Sequence, residues 1–146
     1  MKMADVIEVA YVATRRGRAL LGGPRTHGVL CVVTNNLDEL LLVKPRYRGW
    51  GIVAGFCDPD EDPLLAAVRE LQEEAGIDHV ALELIGHRAR RAHDDHIMRA
   101  VLPDTPILAP RSWEIAAARW VSVDNLPPLH RTSQWAIELA GIRVKK

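Results

Sequence analysis

Net charge is the first thing this chain lacks: 19 lysines and arginines balance 19 aspartates and glutamates over 146 residues. A balanced chain has no broad field for polyanions, so neither nucleic acid nor an anionic membrane surface is an expected partner. No apolar run reaches about 18 residues, so no membrane-spanning helix is expected. The opening MKMADVIEVA carries Asp5 and Glu8 where a secretory signal needs an unbroken apolar stretch. Cysteine is scarce, and Cys31 and Cys57 form neither a C-x-x-C pair nor a zinc-ligand spacing. Cys31 reads as strand core and Cys57 as a reduced thiol, and a cytoplasmic setting follows. Repeats and low-complexity segments are absent as well. The length suits one domain over residues 1–146, large enough to bury a core.

What is present is a run of short apolar segments broken by turn residues. Residues 1–24 read as an N-terminal strand or hairpin ending at Gly22-Gly23-Pro24. HGVLCVVTN (27–35) and LLLVKP (40–45) read as strands joined through the turn residues of NNLDE, and WGIVAGF (50–56) as a third. A helix follows, with Asp62 as N-cap, Pro63 at its first position and Gly76 as a left-handed C-cap. Leu64, Val68, Leu71 and Ala75 recur at 4-3-4 spacing and predict its buried stripe. Two further strands, HVALELIGHRARRA (79–92) and IMRAVLP (97–103), are expected on either side of a polar turn HDDH. AARWVSV (117–123) reads as a strand, DNLPPL as a turn and TSQWAIELAGI (132–142) as a closing helix. Strands before, between and after two helices predict a layered α/β or α+β sheet.

The helix holds the most informative stretch, AAVRELQEEAGI (66–77), which sets Glu70, Glu73 and Glu74 within roughly 100° of one another. Like charges three and four residues apart repel. Either the cluster is a solvated acidic face, or a cation belongs between the carboxylates. The flanks speak for the second reading. Gly55, Glu61, Arg69, Glu70, Leu71, Glu73, Glu74, Gly76 and Ile77 stand in the pattern G-x5-E-x7-R-E-U-x-E-E-x-G-U, where U is bulky aliphatic. At average residue frequencies a chance match at a given position is on the order of 10⁻⁸ or less.

This stretch resembles the Nudix box, with every fixed position filled from Gly55 to Ile77. The lead-in strands and the ARWVSVDNLP exit are also similar to that family's. One departure is FCDPD between Gly55 and Glu61, where the family often has a Glu and a second Gly. Asp58 replaces the acid and Asp60 the glycine, so a stiffer or differently shaped loop is expected. The resemblance implies an α/β/α sandwich with a mixed sheet. It implies Mg²⁺- or Mn²⁺-dependent hydrolysis of a nucleoside diphosphate linked to another group, with a small nucleotide as partner. A homodimer is possible by analogy.

By resemblance, Glu70 and Glu74 are the leading metal ligands, Glu73 the third, and a backbone carbonyl at Ala54 or Gly55 completes the shell. One of the carboxylates can act as general base. Arg69 reads as an organiser able to pair with Glu73, and Glu61 as a water-mediated ligand or a partner of Arg69. Glu114, six residues before Trp120, stands where several family members place a further metal-binding or catalytic acid; an exposed loop Glu is the alternative. Asp94 and Asp95 are runners-up for that acid, or plain turn residues. Lys44, Arg46 and Arg48 are candidates for phosphate oxygens, or for keeping a sheet edge soluble. Trp50 could stack on a base or pack in the core, while Trp113 and Trp135 are expected to pack. Arg88 and Arg90, with His87 and His93 nearby, form a solvated face or a phosphate rim.

AGF before the box resembles the NADH-pyrophosphatase branch, but the chain has no four-cysteine zinc ribbon and no S-Q-P-W-P-F-P segment. Two other readings compete with the hydrolase. One is a non-catalytic Nudix-fold nucleotide-binding or regulatory module, which would normally have lost box glutamates. The other is an isopentenyl-diphosphate-isomerase-like enzyme, which would make Cys57 catalytic.

Overall fold

The computed structural model describes residues 25–144, so the N-terminal strand or hairpin expected at residues 1–24 lies outside the described residues. Among the described residues six strands form: β1 (Thr26–Thr34), β2 (Glu39–Pro45), β3 (Val53–Phe56), β4 (Glu83–Arg90), β5 (His93–Val101) and β6 (Ile115–Ser122). In the same residues two helices accompany them, α1 (Pro63–Ala75) and α2 (Arg131–Leu139). The sheet runs β4-β5-β1-β2-β6, with β3 also paired to β1. β1 and β5 are parallel, and the other pairs are antiparallel. This is the mixed-sheet α/β fold that the family resemblance implied; the order of elements had left α/β and α+β open.

Alternation along β1 builds the two layers, because successive side chains leave opposite faces of a strand. Val29, Cys31 and Val33 pack with Ala66, Ala67, Leu71 and Ala75 of α1. Leu30 and Val32 pack with Ala136 and Ile137 of α2. β1 turns into β2 through Asn35, whose Oδ1 accepts from the Leu37 and Glu39 N–H groups at 2.9 and 3.0 Å. β2 is paired to β1 at Thr34 and Leu40, and β3 takes the place beside β1 from Gly28↔Phe56 to Cys31↔Val53. Ala54 and Gly55 therefore lie in the middle of the sheet, next to α1.

Helix α1 starts and stops where its caps dictate. The Asp62 carboxylate accepts the Leu64 N–H at 2.7 Å, and Gly76 at φ 70° returns its N–H to the last turn. Its buried face differs from expectation. The buried residues are Ala66, Ala67, Glu70, Leu71, Glu74 and Ala75, whereas Leu64 is 40% exposed and Val68 only half-buried. The small alanines let the helix lie close to the sheet, and the face that meets β3 then includes two of the glutamates.

The HDDH segment is a second correction. It is the first half of β5, in parallel register with β1 from Thr26↔His93 onward, and not a turn. The chain reverses instead at Arg91–Ala92, where Ala92 takes φ 52°. Its polarity suggested a turn, but those side chains are satisfied by ion pairs inside the sheet. β4 begins at Glu83 and not at His79, which adopts a left-handed φ of 58° incompatible with an extended strand. Among the described residues no helix is long and apolar enough to cross a membrane.

Candidate active site

The three box glutamates occupy different environments. Glu70 and Glu74 are each about 9% exposed, while Glu73 is exposed. Glu70 lies against Gly55 of β3 so closely that a Cβ at residue 55 would overlap its carboxyl group. That is the physical requirement behind the glycine. Burial raises Glu70 to about 7, opposed by the Arg69 charge and reinforced by Glu73 and Glu114. Burial, then the Glu70 charge, pushes Glu74 up to about 8, against the Arg48 guanidinium and the Ala54 N–H that donates to it. The Glu74 Oε2 atom is buried with no hydrogen-bond partner among the described residues. Burying a carboxylate without a compensating charge is costly. This pair is therefore a place that favours a cation.

Arg69 is fixed by more partners than the expected Glu73. Its Nε and Nη2 grip the Glu61 carboxylate at 3.1 and 2.9 Å, Nη2 also donates to the Phe56 carbonyl at 2.8 Å, and Nη1 donates to Glu70 at 2.9 Å. Glu73 is the longest of these hydrogen bonds, at 3.5 Å. Of the two readings of Glu61, the Arg69 partner is the contact present, and that hydrogen bond holds the Glu61 carboxyl below its usual range. The loop between Gly55 and Glu61 is closed by Asp58 N–H donating to Glu61 at 2.9 Å. Asp60 takes φ 63°, the left-handed conformation a glycine would supply and one Asp tolerates better than most residues.

Glu114 is exposed and follows an irregular loop, yet its charge acts on both Glu70 and Glu74. Three of the expected residues thus share one electrostatic neighbourhood although 40 residues separate Glu74 from Glu114. Arg48 joins them through its effect on Glu74, its Nε buried without a hydrogen-bond partner among the described residues. Lys44 donates to the Arg48 carbonyl at 3.4 Å. Arg46 is committed to the Glu114 loop: its N–H donates to the Glu114 carbonyl at 2.8 Å and its Nε to the Trp113 carbonyl. Trp50 packs with the α2-side cluster, with Arg119 5.3 Å from its ring. Trp135 packs there too, under the Arg88 guanidinium at 3.8 Å. Trp113 corrects the packing expectation, being 72% exposed.

Asp94 and Asp95 are buried strand residues with partners of their own. Asp94 accepts from Arg25 at 2.6 Å and faces His27 and His87 at 3.7 and 3.5 Å. Asp95 accepts from Arg90 at 2.8 Å, His93 at 3.0 Å and Arg88 at 3.2 Å. Sequence reasoning placed Arg88, Arg90 and His93 on a solvated or phosphate-binding face, and missed that the buried Asp95 of β5 gathers them. Both cysteines are free thiols. Burial, with Glu61 next, raises Cys57 to about 11. That keeps it a thiol at neutral pH, which speaks against a nucleophilic role.

Whether Mg²⁺ or Mn²⁺ suits these residues turns on the donor set. Among the described residues no three His, Cys, Asp or Glu side chains form a cage for an ion. Mg²⁺ does not need one: it keeps several waters and binds through one or two carboxylates plus substrate phosphates. Two buried carboxylates, one with an unpartnered oxygen, meet that need. Glu73 and the backbone carbonyl of Ala54 or Gly55 are the further oxygens at hand.

The comparisons agree with this geometry. A family model described as "NUDIX domain" matches residues 24–140. The NAD-capped RNA hydrolase NudC of Vibrio vulnificus (strain CMCP6) is 32% identical over 114 residues, 75% of this chain but only 43% of that protein. The chain thus spans less than half the length of that relative. A Bacillus subtilis (strain 168) protein provisionally named an 8-oxo-dGTP diphosphatase is 31% identical over 105 residues, 70% of each chain. The NUDIX domain of Shewanella oneidensis NrtR, solved in complex with ADP ribose, superposes with a TM-score of 0.70 over 80% of this chain and 86% of that one, at 20% identity. With the model match extending over most of its length and the box residues gathered at one buried acidic pair, the chain belongs to the NUDIX domain family.

Proposed function

We propose that this protein hydrolyses a phosphoric anhydride bond in a nucleoside diphosphate linked to a further group, using Mg²⁺ or Mn²⁺. The observation that carries the reading is the buried pair Glu70 and Glu74, held up to about 7 and 8 with an orphaned oxygen between strand and helix. A structural role does not account for two adjacent buried acids that destabilise the fold they sit in.

Glu70 and Glu74 would hold the ion, with Glu73 and a carbonyl at Ala54 or Gly55 as the further oxygens that the chain can supply. Such an ion, when bound, would supply charge neutralisation for the diphosphate and an acidified water. Arg69, clamped by Glu61 and the Phe56 carbonyl, fixes the Glu70 carboxylate in place. Glu114, brought near by its loop, is the candidate to orient the attacking water or take its proton. Arg48, beside Glu74, is the cation best placed to contact a phosphate oxygen.

The relatives named above act on or bind NAD-capped RNA, an oxidised nucleotide and ADP-ribose, so nucleotides with a diphosphate bridge are the substrate class to test first. The test is a panel of ADP-ribose, NAD, NADH and nucleoside triphosphates with Mg²⁺, Mn²⁺ or excess chelator, with products separated chromatographically. Cleavage that stops in chelator and returns with either ion is expected. Turnover undiminished without metal refutes the metal reading. Tight nucleotide binding without any cleavage marks a binding module instead.

A further inference from the structure

The 102–114 segment between β5 and β6 has no regular structure, yet it is fastened along its length. The Ala109 N–H donates to the Ala75 carbonyl at 2.9 Å, and the Arg111 and Ser112 N–H groups donate to the Glu73 carbonyl at 2.8 and 2.9 Å. These are last-turn carbonyls of α1, which have no partner inside the helix. Arg111 also forms a two-pronged ion pair with Asp78, at 3.0 and 3.1 Å. Arg46 then takes the Trp113 and Glu114 carbonyls.

Trp113 is therefore fixed at its backbone while its indole stays 72% exposed. The other three tryptophans, Trp50, Trp120 and Trp135, all pack on the core clusters. An uncovered indole on a tethered loop is a preorganised aromatic plane, large in area and low in ordering cost when something stacks on it. Its chain neighbour is Glu114, whose charge reaches Glu70 and Glu74. The Arg46 and Arg48 cations come from the segment that holds the loop.

We propose that Trp113 is the stacking platform for the base of the bound nucleotide. The inference rests on the hydrolase reading above and adds the residue that recognises the base. A nucleotide carries a charged diphosphate at one end and a π-face at the other. The acidic pair and Arg48 match the first, and the exposed indole next to Glu114, on a loop tied to the Glu73 carbonyl, matches the second. Trp50, on the α2 side of the sheet, does not offer such a plane next to the carboxylates.

The experiment compares wild type with Trp113→Ala and Trp113→Phe on ADP-ribose and on a ribosyl diphosphate without a base, in Mg²⁺. Loss of a base–aromatic stack raises KM for the base-bearing substrate by about 5- to 150-fold in the alanine variant, with a much smaller change for the baseless one. Phenylalanine recovers part of the loss. ADP-ribose should also quench wild-type tryptophan fluorescence, and that quench should be missing in Trp113→Phe. Equal effects of Trp113→Ala on both substrates, or a quench that survives in Trp113→Phe, overturn the proposal while leaving the hydrolase reading intact. If wild type neither binds nor cleaves any nucleotide of the panel, both fall. Sedimentation of wild type and Trp113→Ala gives the last outcome: a dimer that dissociates only in the variant assigns the indole to a second copy of the chain and overturns base stacking.

Discussion

Glu74→Gln sets stability against activity within one side chain. The substitution keeps the size and the acceptor for the Ala54 N–H, but removes a titrating group that burial holds up to about 8 against an ordinary 4.5. Because the folded value lies above the unfolded one, the fold favours the neutral carboxyl. Its stabilising effect is complete below about pH 4.5 and is lost as pH rises through about 8. At pH 7 the metal-free fold holds a proton that the unfolded chain would release, at about 1.4 kcal/mol per pH unit, or on the order of 3 kcal/mol. Glutamine removes that burden. In chelator at pH 7 the variant should melt about 10 °C above wild type, at roughly 3–4 °C per kcal/mol for a domain of this size. At pH 4.5 the two should coincide. Activity should move the other way, with Mg²⁺-dependent turnover falling by roughly 10²-fold or more. Calorimetry at the two pH values, beside a steady-state rate, checks both halves. A variant with wild-type turnover refutes the site, and melting temperatures that stay equal at pH 7 refute the buried-acid argument.

Glu114→Gln should lower kcat much more than it raises KM, the pattern of an interaction made in the transition state; steady-state kinetics with an unchanged kcat would return Glu114 to an ordinary loop acid. Gly55→Ala should displace the Glu70 carboxyl that fills the space of the new Cβ, reducing Mg²⁺-dependent turnover by about 10²-fold while circular dichroism shows the fold retained. Asp95→Ala leaves Arg88, Arg90 and His93 without their shared acceptor. It should lower stability by about 3 kcal/mol in urea unfolding at pH 7, without changing KM for the preferred nucleotide.

The sequence alone determined what depends on neighbours three to five positions away. Asp62, Pro63 and Gly76 set the ends of α1, and the spacing of Arg69, Glu70, Glu73 and Glu74 put them on adjoining turns, because helix geometry is fixed by local hydrogen bonds. The turn at Asn35–Asp38 was legible for the same reason. Tertiary structure decided which carboxylates are buried. Glu70 and Glu74 are buried and Glu73 is exposed because β3 brings Gly55 and Ala54 under one side of α1, a pairing set by β1 and not by the helix. The same long-range register turned HDDH into buried strand, where Arg25, Arg88 and Arg90 supply the countercharge that makes burial tolerable. It also carried Trp50 to one layer and left Trp113 uncovered beside Glu114, since the carbonyls that tether that loop belong to a helix more than 30 residues earlier in the chain. Local propensity cannot specify such outcomes, because burial and pairing are properties of segments far apart in sequence that meet only once the sheet has formed.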